Sequence, residues 1–241
     1  MVGVRSRWVA WLAAPLLVSA AAGAAVPVRE LWAAFDRAVW QLYVREWGSL
    51  RAICSSGAYW TDGVTTRLLT AAHCVDNPRA EYAVSQDGSV FLPVRVLAVG
   101  WPWDPVQRRY VDTEGDDWAV LEIQGLHSTM TVGLDAEVYL GMPIYVLGYP
   151  LGGDKLAAVG IVGNPEYAAT GTLWRRYIGA QIFSRPGSSG SLVVNGDGLI
   201  IGILVAGAGE QLHLLTPIRK VRFDLADQGA KNGKPATPPL P

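Results

Sequence analysis

Apolar residues fall along this chain in short bursts, cut by glycine, proline and Asx turns. Leu31, Trp32 and Phe35 are spaced for one side of a helix, which predicts a short helix over Pro27 to Asp36. Arg37 to Arg45 alternates as a strand does, although one longer helix through Trp47 fits the same residues. Strands are predicted over Gly57 to Trp60, Arg67 to Thr70, Tyr82 to Ser85, Ser89 to Val99 and Trp118 to Ile123, with Asp87-Gly88 as a hairpin signal. A second set covers Ile144 to Gly148, Ala157 to Val162, Tyr177 to Phe183, Ser191 to Val194, Leu199 to Val205 and Leu212 to Leu215. The polar stretch Gly125 to Glu137 joins the two sets. Many short strands with turns at this spacing predict an all-β barrel or sandwich. Asp227 to Pro241, rich in glycine, lysine and proline, reads as an unstructured tail. No solenoid repeat is present.

Composition narrows the function. The chain has 241 residues, 50% hydrophobic and 17% charged, enough apolar material for a sizeable core. Its net charge of -1 argues against nucleic acid or an anionic membrane as main partner, since both require a basic patch. Two cysteines and three histidines cannot build a large zinc cluster, and no loop is acidic enough for calcium. No metal and no cofactor are expected.

The amino terminus has the layout of a secretory signal peptide over residues 1–24. Arg5 and Arg7 precede a run without charge from Trp8 to Val26, and Ala22-Gly23-Ala24 and Ala20-Ala21-Ala22 are small-residue cleavage patterns. The run is close to the about 20 residues of a membrane span, so an uncleaved anchor is the alternative and the only membrane contact expected. Export to the periplasm or medium favours a Cys54–Cys74 disulfide, worth ~3 kcal/mol by loop entropy, over buried free thiols or a metal pair.

Three segments carry chemistry. Leu68-Leu69-Thr70-Ala71-Ala72-His73-Cys74 ends a strand on a histidine. Gly115-Asp116-Asp117-Trp118-Ala119-Val120-Leu121 opens a strand on a carboxylate. Pro186-Gly187-Ser188-Ser189-Gly190-Ser191 is a glycine-flanked turn presenting a serine. A serine hydroxyl is a poor nucleophile until a base takes its proton. Histidine titrates in the useful range, and an aspartate fixes its tautomer and stabilises the imidazolium. Flanking glycines let backbone N–H groups converge as an oxyanion hole.

Together these segments resemble the chymotrypsin-type (trypsin-like) serine proteases, in the same order His, Asp, Ser and over roughly Arg37 to Arg222. The resemblance implies two six-stranded antiparallel Greek-key barrels, about 37–125 and 136–222, with the active site in the cleft between them. Residues 25–36 are then a lead segment, 37–226 the protease domain and 227–241 the tail. It assigns His73, Asp117 and Ser189 as catalytic, and the N–H groups of Gly187 and Ser189 as the oxyanion hole. Cys54, before Ser55-Ser56-Gly57, matches the cysteine that bridges to the one after the catalytic histidine. Leu140 to Pro150 is similar to the start of the second barrel in bacterial high-temperature-requirement and glutamyl-endopeptidase groups, without an appended peptide-binding domain.

The departures from the family bear on activation and specificity. Ser188 stands where digestive proteases carry an aspartate, so activation by a new amino terminus is not expected. Ser191 replaces the commoner glycine, a change expected to be tolerated. Asp116 is the carboxylate used if the register slips, and His127 reads as a surface residue. The family pattern lines the primary pocket with Phe183, Val205, Ala206, Gly207 and His213. Bulky, uncharged Phe183 argues against cleavage after Lys or Arg and for a small or medium hydrophobic side chain, while an inward His213 would favour an acidic one. The implied partner is a protein or peptide substrate. The alternative is a catalytically inactive binding protein on the same fold.

Overall fold

The computed structural model describes residues 27–112, 116–168, 176–207 and 211–232. The expected signal peptide lies outside these residues. The first half comprises α1 (Val28–Ala38), β1 (Val39–Glu46), β2 (Ser49–Thr61), β3 (Thr65–Thr70), β4 (Tyr82–Ser85), β5 (Leu92–Val99), β6 (Trp103–Asp104), β7 (Arg109–Tyr110) and β8 (Ala119–Gln124). The second comprises β9 (Thr131–Val132), β10 (Pro143–Gly148), β11 (Leu156–Tyr167), β12 (Tyr177–Gln181), β13 (Leu192–Asn195), β14 (Leu199–Gly207), β15 (His213–Pro217) and α2 (Phe223–Asn232).

Two closed six-stranded antiparallel barrels result, as expected. The first runs β1-β2-β3-β8-β5-β4 and closes where Gln41 faces Ser85. Its core is filled by Leu42, Leu68, Leu69, Leu97 and Leu121, all with no exposed surface. The second runs β13-β10-β11-β12-β15-β14 and closes where Leu192 faces Ile203. Ile144, Val162, Ile178, Ile201 and Leu215 fill it. β9 extends it by a parallel pairing with β14. The linker binds both halves: Met130 N–H donates to Ala58 C=O, and Gly133 N–H to Ile200 C=O.

The longer helix through Trp47 does not form. The chain turns extended at Val39, because β1 gains ladder partners on both edges, β2 and β4. Leu31, Phe35 and Ala38 form the buried stripe of α1, and Trp32 meets Tyr145 of the second barrel edge-on at 5.6 Å.

Residues 227–232 are helical, where the composition read as unstructured. Leu225 and Ala226 are buried, and a side chain at Gly229 would strike the Leu97 carbonyl at 2.1 Å. That close approach to β5 holds the helix where local composition does not. The tail beyond 232 lies outside the described residues.

Candidate active site

The register of β3 against β8 pairs Thr70 with Ala119. The residues that follow one strand and precede the other therefore emerge side by side at one end of the first barrel. His73 sits there in a 3-10 turn, Ala72–Cys74, and Asp117 just before β8. His73 Nδ1 lies 2.8 Å from Asp117 Oδ2, and His73 N–H donates to Oδ1 at 3.1 Å. Asp117 is 7% exposed. Thr216 of β15 donates its hydroxyl to Asp117 C=O at 3.0 Å, so the second barrel also grips this residue. Asp116 instead meets Lys220 Nζ at 2.6 Å, so of the two carboxylates it is Asp117 that meets His73.

Burial pulls the His73 pKa down, but the hydrogen bond and charge of Asp117, with Asp76 and Asp112 farther off, outweigh it and hold it above the ordinary value. The Trp101 ring lies 6.4 Å away. The Cys54–Cys74 disulfide forms, with Cα atoms 6.2 Å apart, and ties β2 to the histidine turn. His127 packs edge-on against Trp40 at 4.8 Å, away from this site.

The serine segment is a chain of tight turns. Ser188 N–H donates to Arg185 C=O at 2.9 Å, with Pro186 second and Gly187 third at φ +94°. Proline followed by a positive-φ glycine is the type II arrangement. Leu151 N–H donates to Pro186 C=O at 2.5 Å. A trans peptide directs its N–H opposite its C=O, so Gly187 N–H points away from Leu151. Neither Gly187 N–H nor Ser189 N–H is engaged by another group among the described residues. Ser188 Oγ accepts from Arg185 N–H at 3.3 Å. Ser191 is fully buried and fits because Gly148 faces it: a Cβ there would lie 2.1 Å from Ser191 Oγ.

His73, Gly187 and Ser189 line one open cleft of about 680 Å³. Ser189 also borders a cavity of about 430 Å³ lined by Ser184, Arg185, Leu204, Ala206, Gly207 and His213. Of the pocket residues expected from sequence, Ala206, Gly207 and His213 line this cavity. Val205 turns into the core at 5% exposure. Phe183 is half exposed, with the Arg185 guanidinium 5.0 Å over its ring, and Ser184 takes the lining position. Ser184 Oγ lies 2.8 Å from His213 Nδ1. Thr216 and Ser184 carry no local sequence signal of these roles; alternation past the end of β12 marks Ser184 only once the strand is known to stop at Gln181.

Comparison with known proteins agrees with this arrangement. Two solved structures, an HtrA-type protease AlgW with decapeptide and a substituted form of AlgW with decapeptide, each superpose with a TM-score of 0.65. They are 19% and 17% identical to this chain, cover 87% of it, and are themselves covered to 69% and 68%. At that identity the likeness is one of fold. No curated protein matches the sequence. The description "Trypsin-like peptidase domain" matches residues 55–203, well over half of the chain. The chain belongs to the trypsin-like peptidase family and is a serine endopeptidase.

Proposed function

We propose that this protein is an exported endopeptidase that cleaves peptide bonds by acyl transfer. The observation that carries the reading is the two-point grip of Asp117 on His73 beside the Ser189 cleft. The carboxylate occupies Nδ1, so the opposite ring nitrogen, Nε2, is left to accept the Ser189 proton. Ser189 Oγ bonds to the substrate carbonyl carbon, and the carbonyl oxygen becomes an oxyanion. Gly187 and Ser189 N–H groups stabilise that charge. His73 returns its proton to the leaving nitrogen as the C–N bond breaks, and water then hydrolyses the acyl-enzyme by the same proton path.

The substrate is an extended peptide, in keeping with the peptide-bound proteases of similar fold. Among the described residues no carboxylate lines the cavity beside Ser189, and Arg185 does, which disfavours a basic side chain there. Export rests on the signal-like amino terminus and accords with a disulfide in the folded protein.

The test is labelling by a fluorophosphonate, wild type against Ser189→Ala. Labelling and peptide hydrolysis by the wild type alone support the reading. No labelling of either oxidised, folded protein would instead favour a binding protein on the same fold.

A further inference from the structure

Ser55, on β2 of the first barrel, is fully buried and has every polar group engaged. Its N–H donates to Ser189 C=O at 2.8 Å, and its C=O accepts from Thr70 Oγ1 at 2.8 Å. Its hydroxyl lies 2.9 Å from Tyr149 N and 2.9 Å from Gly187 O. A backbone N–H only donates, so the hydroxyl oxygen accepts from Tyr149 and its own proton goes to the Gly187 carbonyl. One side chain thus joins the first barrel, the chain leaving β10 and the serine turn.

Two peptide planes meet at Gly187 Cα. Leu151 N–H holds the carbonyl of the first, Pro186–Gly187. Ser55 Oγ holds the carbonyl of the second, Gly187–Ser188. Type I and type II turns differ by a flip of the central peptide. That flip would reverse Gly187 N–H, and the Leu151 bond to Pro186 C=O opposes it directly; the Ser55 bond fixes the next plane, Gly187–Ser188, which links the two donor residues Gly187 and Ser189. A side chain at Gly187 would meet Tyr149 O at 2.6 Å, so the space behind the turn is filled as well.

We infer that the Ser55 hydroxyl is a positioning group for the oxyanion hole, fixing the Gly187–Ser188 peptide that sets the Gly187 and Ser189 N–H groups relative to one another at the cleft. The inference rests on the acyl-transfer reading. Ser55 touches no substrate; it acts through Gly187. It also holds Ser189 C=O by its backbone, a bond that substitution of the side chain leaves in place.

The test compares Ser55→Ala with the wild type and with Ser56→Ala. Ser56 is the neighbouring buried serine, whose hydroxyl reaches Trp40 C=O instead. Loss of an oxyanion donor lowers kcat about 100- to 1,000-fold. A donor that is present but loosened is expected to lower it about 10- to 100-fold. KM stays within about twofold, and the affinity of a peptide boronate, which forms the tetrahedral adduct, falls in parallel with kcat. The acid limb of the pH profile stays put, because His73 and Asp117 are untouched. Ser56→Ala lowers the melting temperature without this kcat loss. Ser55→Cys keeps a weak donor and acceptor, gives an intermediate kcat, and serves if Ser55→Ala does not fold. A folded Ser55→Ala or Ser55→Cys with kcat and boronate affinity within twofold of wild type overturns the inference. A wild type that neither labels nor cleaves overturns the acyl-transfer reading itself.

Discussion

The Asp117 carboxylate holds His73 at two points, Oδ1 on the backbone N–H and Oδ2 on ring Nδ1, at 3.1 and 2.8 Å. One contact fixes the turn and the other fixes the ring. Asp117→Asn keeps the shape but removes the charge and allows the wrong tautomer. It is expected to lower kcat by about 10⁴-fold, with the fold intact by circular dichroism. Peptide hydrolysis under saturating substrate measures this.

The same carboxylate sets the pH dependence. Activity requires neutral His73, whose pKa is raised. The acid limb of kcat/KM is therefore expected to have its midpoint above 6.5, and to move to lower pH in Asp117→Asn. A raised folded pKa also means that the protonated pair stabilises the fold. That contribution is complete below the unfolded value near 6.5 and is lost as pH rises through the folded pKa. Melting temperatures of wild type and His73→Gln across pH 5 to 9 are expected to converge as pH rises.

Gly190 is confined more tightly than its motif position suggests. It has φ +86°, and a Cβ would lie 2.1 Å from Ser55 O and 2.2 Å from Thr70 Oγ1. Gly190→Ala combines left-handed strain with overpacking against backbone, a cost of about 2–4 kcal/mol. Gly196→Ala meets nothing within 4 Å and is expected to be neutral. Urea midpoints of the two variants, measured side by side, decide the matter.

The Cys54–Cys74 bond closes a loop with a separation of 20 residues. Replacing both cysteines by alanine is expected to cost ~3 kcal/mol, read as a lower denaturant midpoint. Activity at low temperature is retained, since neither sulfur belongs to the proton path.

Specificity follows from the cavity beside Ser189. Digestion of a peptide library is expected to show cleavage after small or medium uncharged side chains. Cleavage mainly after Lys or Arg would contradict the lining of Ser184, Arg185, Leu204, Ala206, Gly207 and His213. A preference for Glu that disappears in His213→Phe would assign the imidazole to substrate.

The barrels were legible because the side-chain period of a half-buried strand is written locally. Tyr82 to Ser85 was located to the residue, and Leu199 to Val205 to within two. The two-residue strands β6, β7 and β9 were not, since no period can be read from so few positions. The last turns of α2 depend on Gly229 lying against Leu97, a contact between residues far apart in the chain.

The same division runs through the site. His73, Asp117 and Ser189 stand out in sequence because their chemistry depends on residue type and a fixed local turn. Sequence by itself also determined the pairing candidates Cys54 and Cys74 and the all-β class. Tertiary structure alone decided that Asp117 rather than Asp116 meets His73, that Ser184 rather than Phe183 lines the cavity, and that Ser55 holds the serine turn. Each of these depends on which way a side chain points once two barrels have closed and docked, and hydrogen bonds such as Ser55 to Gly187, 132 positions apart, leave no trace in local pattern.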